Sequence, residues 1–271
     1  MNDLAEKLSL ESDDSLRRRR SNARRLATDQ PDTPLGQKAE QQLLLIEAEL
    51  ELRSLPGNIT TFLAEFPLGF RDPKHLDQEW TYKDEASSYC QEHLGKSAFD
   101  AIAAGGPIDD LLHHVCKLVG KTNLIQGSFE KPKLLDAIND PKNSRIFLDA
   151  LGELLHGSGE PSSRIDAFSD ALAEVGLSRK WTYTTYFLFL SDPAHCLFVK
   201  PEGLKRALEI TNYPLTYESA PTGRHYAEIL KFANWLKDKL TGQGRPELTP
   251  DGMIDVQSFM WHLAPTGKYA R

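Results

Sequence analysis

Cysteine is scarce in this chain. Only Cys90, Cys116 and Cys196 occur among 271 residues, and their spacing makes no regular framework. That excludes a disulfide scaffold and points to a reducing compartment. No apolar run approaches the roughly 18 residues that a membrane-spanning helix requires. The opening MNDLAEKLSLESDD has no apolar stretch behind a basic start, so no secretory leader is expected and the expected address is the cytoplasm. Positive charge is not in excess: 32 Lys and Arg against 39 Asp and Glu leave a net charge of −7. This argues against coating nucleic acid by bulk charge, but it leaves a local basic patch open. There is no P-loop, GxGxxG, GxSxG or HExxH. No Ser, Cys or Thr nucleophile with an adjacent base is evident, and the strands of a metal-dependent nuclease core are missing. No cofactor is expected.

What is present is an ordinary soluble mix, 40% hydrophobic and 26% charged, in a chain long enough to bury a real core. Residues 1–56 read as a helical hairpin. Ser12 or Asp13 caps a helix carrying Leu16, Arg17, Arg18, Arg19, Arg20, Arg24, Arg25 and Leu26. DQPDTPLG breaks it, and a second helix with Leu43, Leu44, Ile46 and Leu50 runs from Leu35 to Leu55, where Pro56-Gly57 is expected to end it. Residues 57–79 read as a turn-rich linker that docks through Phe62, Phe66 and Phe70. Residues 80–271 read as a compact helical domain, its segments separated by Gly, Pro, Asn and Asp. No internal repeat is visible.

The most apolar and aromatic stretch is WTYTTYFLFLSDPAHCLFVKP, Trp181 to Pro201. Its first half has high β-propensity. No second strand of similar quality exists to pair with it, and an isolated strand leaves its backbone groups unsatisfied. We therefore expect a buried helix covered by amphipathic helices over Pro201–Thr211, Thr222–Leu240 and Asp251–Leu263. The expected fold is all-α: an N-terminal helical hairpin followed by a compact multi-helix domain.

Three constellations could carry chemistry. Cys90 and His93, then His113 and Cys116, stand at i and i+3, so two packed helices could present four metal ligands. Against this, cysteine on an amphipathic helix is commonly a small core residue, and no metal is expected. Lys200, Lys205, Arg206 and Arg224 lie near Tyr213, Tyr217 and Trp235, as a basic, aromatic-lined surface for nucleic-acid strands would require. Arg17 to Arg20 could form a second phosphate-contacting arm. The alternatives are cationic side chains snorkelling at the rim of a core, and an arginine face balanced by Glu40, Glu47, Glu49 and Glu51. In DVQSFMWHL, Asp255 suits a helix start; it could also act as a general base with His195 and Lys200.

The region from about Trp80 to the C-terminus, about two-thirds of the chain, carries in order the blocks YKDEASSYC, FLDALGELLHGSG, KWTYTTYFLFLSDPAHCLFVKP and MIDVQSFMWHL and resembles a bacterial family of helical proteins. The first 56 residues resemble a helical hairpin found ahead of assorted bacterial domains. The resemblance implies a soluble helical protein from restriction or phage-defence neighbourhoods, and it brings no established activity or catalytic residues. The leading expectation is a non-enzymatic module that binds DNA, RNA or a nucleoprotein partner through Lys200, Lys205, Arg206, Arg224 and Arg17–Arg20. The alternatives are an enzyme acting on nucleic acid with Asp255, His195 and Lys200, and a protein–protein scaffold dimerising through the hairpin.

Overall fold

A computed structural model describes residues 2–263 of the chain, and among them there is no β-strand. The all-α expectation holds. The described chain divides into two compact units, one of residues 2–67 with 206–212 and 262–263, the other of residues 68–205 with 213–261.

In the first unit, α1 (Asn2–Ser9), α2 (Asp13–Asp29), α3 (Pro34–Arg53) and α4 (Leu55–Glu65) follow one another with minimal turns. Ser12 caps α2 by accepting the Ser15 N–H, and Thr33 caps α3 by accepting the Gly36 N–H. Leu8, Leu16, Ala23 and Ile46 form the buried seam between these helices. Leu44 and Leu52 remain exposed on α3.

Pro56-Gly57 does not end a helix; it begins one. Ser54 caps α4 by accepting the Gly57 N–H, with proline in the first turn, where its missing N–H costs nothing. A Cβ on Gly57 would lie 2.1 Å from the Glu51 carbonyl, so this tight corner between α3 and α4 requires glycine. The segment expected as a turn-rich linker is thus largely helical, and Phe62 and Phe66 are buried.

In the second unit, α5 (Pro73–His75) passes through a π-helical turn at Leu76–Trp80 into α6 (Thr81–His93). Then follow α7 (Lys96–Ala103), α8 (Asp109–Lys121), α9 (Glu130–Asn139), α10 (Ser144–His156), α11 (Pro161–Glu174) and α12 (Trp181–Ser191). Beyond an extended segment lie α13 (Pro201–Thr211), whose residues from Arg206 count with the first unit, α14 (Gly223–Thr241) and α15 (Met253–His262), which ends at the first unit's His262.

The central stretch is the buried helix expected: every residue of α12 from Trp181 to Leu190 except Leu188 is buried. Burial on all sides explains why it lacks amphipathic spacing. Its indole and phenol groups are hydrogen-bonded, whereas the buried Thr182 and Thr184 hydroxyls have no partner. Trp181 Nε1 donates to the Glu218 carbonyl, Tyr183 to the Glu130 carbonyl and Tyr186 to the Leu118 carbonyl. Thr185 Oγ1 accepts the Val199 N–H at 3.0 Å, and Tyr226 brackets Leu197 by bonding its N–H and its carbonyl. These bonds seat the extended segment that delivers Lys200.

Candidate functional site

In the second unit, buried charge gathers where residues of the π-turn, α6 and α15 are hydrogen-bonded. Lys83 on α6 is fully buried. Its Nζ donates to Glu79 Oε2 at 3.1 Å and to Ser258 Oγ at 3.0 Å. Glu79 belongs to the π-turn, a distortion often found at functional sites. Ser258 in turn donates to the Ile254 carbonyl within α15.

Asp255, one turn before Ser258, is also fully buried. Its Oδ2 accepts the Asp251 N–H at 2.9 Å and faces the Arg71 guanidinium at 3.4 Å, while Oδ1 has no hydrogen-bond partner. Arg71 is held outside by Asp251 at 2.5 Å. Lys200 Nζ sits 4.0 Å from the centre of the Trp261 ring, a cation–π contact at the half-buried rim.

The electrostatics follow from burial. Desolvation pushes the Lys83 ammonium down to about 8 against the pull of Glu79 and Asp255, and the Lys200 charge lowers it further. Burial raises the Asp255 carboxyl above the usual carboxylate range, opposed by its bond from Asp251 and by Arg71. Burial likewise raises the Tyr82 phenol; its ring centre lies 5.4 Å from Lys83 Nζ. A base and an acid are thus shifted toward each other in one cluster, a pattern enriched at working sites.

Of the residues expected from sequence, Asp255 and Lys200 both act electrostatically on Lys83. His195 is elsewhere: it is exposed and bonds Asp192 at 2.9 Å. Lys205 is tied to Glu202 at 2.9 Å and lies 4.8 Å from the Tyr217 ring centre. Arg206 is buried and counts with the first unit, and Arg224 lines a separate cleft with His225, Glu218 and Glu228.

On α2, Arg19 pairs with Glu11, Arg24 bonds Glu47 at 2.6 Å and Arg17 lies 4.0 Å from Asp13. Arg18, Arg20 and Arg25 have no acidic partner among the described residues. Arg20, Arg24 and Arg25 line a shallow groove of about 410 Å³ with Ser21, Thr28 and a single acid, Asp29.

The Cys/His pairs are arranged differently from a four-ligand set. Cys90 is buried, and Cys116 bonds Asn139. His93 stacks instead on His114, ring centres 4.1 Å apart, and Tyr89 bonds the His114 ring at 2.6 Å. Among the described residues no group of three or more His, Cys, Asp or Glu could hold a metal.

Sequence reasoning missed Lys83, Glu79, Ser258 and Arg71. YKDEASSYC reads as an ordinary charged helix face, and only tertiary packing turns Lys83 inward. The weak available signal was DVQS, which puts an acid and a serine one turn apart on an otherwise apolar helix. No family model, curated protein or solved structure matches the chain.

Proposed function

We propose that this protein binds nucleic acid through phosphate contacts from the arginine face of α2, in the bacterial defence setting that its sequence resemblance implies. The observation that carries this reading is the groove formed by Arg20, Arg24 and Arg25. Arg20 and Arg24 stand one turn apart with Arg25 beside them, and guanidinium forks suit contacts to backbone phosphates. Lys200 beside Trp261 is a second cation–aromatic contact suited to a strand. Fluorescence anisotropy with single- and double-stranded DNA and RNA over a salt series tests the proposal. Micromolar or tighter binding with a steep salt slope supports it; absence of binding at low salt ends it.

A second reading, an enzyme, draws on a separate observation, the buried Lys83–Asp255 cluster. Asp255 and Lys200 remain its working residues, and Lys83 takes the place given to His195. Asp255→Asn should then abolish turnover on a bound strand without weakening its binding. Unchanged turnover would exclude this role for Asp255.

A further inference from the structure

A second surface of positive charge lies in the second unit, on α8, α9 and the loop between them. Residues 111–135 hold four lysines, Lys117, Lys121, Lys131 and Lys133, and one acid, Glu130, in a chain of net charge −7. Lys180 answers Glu130 at 2.9 Å, whereas Lys117, Lys121 and Lys133 have no acidic partner among the described residues. Helix stability does not explain Lys131 and Lys133, which stand in the first turn of α9, where the macrodipole disfavours a cation. The loop is pinned: Lys131 Nζ donates to the Thr122 carbonyl at 2.6 Å, and Leu124 and Ile125 are buried. At its end Phe129 is 52% exposed, and no other Phe, Tyr or Trp among the described residues is as open. Lys133 Nζ lies 4.0 Å and Lys180 Nζ 5.7 Å from the centre of its ring. On the α8 side, Lys121 Nζ and Lys117 Nζ lie 4.9 Å and 5.3 Å from the centre of the half-buried Tyr89 ring. Glu92 and Asp110, whose charges reach Tyr89, lie 3.7 Å from His93 and His114.

We propose, resting on the nucleic-acid reading above, that this surface binds a single strand. An unpaired base stacks on Phe129, Lys133 and Lys180 hold the flanking phosphates, and the backbone continues along Lys121 and Lys117. Within a duplex each base face is covered by its neighbours, so an aromatic side chain reaches one only where the strand is open. A lysine ammonium is a flexible, strongly hydrated point charge. It leaves the ring face for a phosphate, and the base takes the face it vacates. The pinned loop presents the ring before the strand arrives, which limits the ordering cost of binding. An acidic peptide would match the lysines but leave the bare ring without a role; a strand uses both.

The test measures anisotropy of labelled oligothymidylate, alone and paired with oligoadenylate, on the full chain. Phe129→Ala should weaken the single strand by roughly 5- to 150-fold, the worth of one stacked base, and leave the duplex unchanged. Phe129→Leu should behave like Phe129→Ala, whereas Phe129→Trp should bind at least as well as the parent, because a π-face and not apolar bulk is what stacks. Lys121→Gln with Lys133→Gln should lower the single-strand salt slope by up to about 1.4, or about 0.7 for each phosphate released. With 5-iodouracil in place of thymine, light should join the strand to the peptide that carries Phe129. All three positions are exposed, so these variants should keep the parent's thermal midpoint. Unchanged single-strand affinity in Phe129→Ala, or equal losses on strand and duplex, would overturn the proposal. Polyglutamate bound more tightly than oligothymidylate, and indifferent to Phe129→Ala, would give the surface to acidic protein segments instead. Strand binding that survives Phe129→Ala but falls when Arg20, Arg24 and Arg25 are replaced would remove this surface and leave the nucleic-acid reading standing. No strand binding at low salt ends both.

Discussion

Lys83 links a single residue to the stability of the fold. The folded protein releases its ammonium proton near pH 8, whereas the unfolded chain holds it to about 10.4. Across that window the unfolded chain binds more protons, so raising the pH stabilises the folded state. The thermal midpoint should therefore rise between about pH 8 and about pH 10.4, the span between those two values, and the rise should vanish in Lys83→Met. The comparison also uses Lys83→Met with Glu79→Gln, because removing one partner of a buried ion pair costs about 3–5 kcal/mol whereas replacing both is often neutral. Calorimetry at half-unit pH steps checks this, and a parallel slope in parent and variant would refute it. Asp255 and Lys200 were legible in the sequence because each stands in an apolar setting that makes a charge conspicuous. Lys83 was not, because a lysine among Tyr, Asp and Glu looks like solvent-facing helix until the packing is known.

Between helices, isolated positions carry whole junctions. Arg53 at the end of α3 spends all five N–H groups: one on Glu49, one on Asp13 and three on the Glu11, Leu8 and Ser9 carbonyls. It thereby satisfies the carbonyls left open where α1 ends. Arg53→Met should destabilise the protein by about 3–5 kcal/mol, the cost of leaving a buried acid and several carbonyls without a donor. Chemical denaturation followed by circular dichroism measures it, and a loss under about 1 kcal/mol would contradict the assignment. Gly223 serves α14 in the same way. Its N–H donates to Asp166 at 2.8 Å, and a Cβ there would lie 2.0 Å from the Ser162 carbonyl of α11. Gly223→Ala should accordingly lower the midpoint by several degrees, whereas Gly120→Ala, with open space around its Cβ, should leave it unchanged or raise it. Caps and turns made most helix boundaries readable from the sequence. Pro56-Gly57 was misread because proline and glycine stop a helix or start one according to whether a capping residue precedes them, and Ser54 does.

For the protein as a whole, charge distribution matters more than its sum. A net charge of −7 would repel a polyanion at long range, yet the α2 groove gathers three arginines against Asp29 and the Glu47 that Arg24 bonds. Within a Debye length of about 10 Å at 0.1 M salt, that local field is what a bound strand would feel. Each phosphate neutralised contributes about 0.9 to the slope of log K against log salt for duplex DNA, and about 0.7 for a single strand. Replacing Arg20, Arg24 and Arg25 together with alanine should weaken binding and flatten the slope by up to about 3 on duplex, with little dependence on sequence. Arg19→Ala is the control: its guanidinium already answers Glu11, so the slope should change little. Arg20 and Arg25 should carry most of the loss, because Arg24 must give up Glu47 to reach a phosphate. Equal losses at Arg19 and Arg20 would mean that the whole helix acts as a diffuse cation; no loss at Arg20 and Arg25 would remove α2 from the interface and leave Lys200 as the cation to test next.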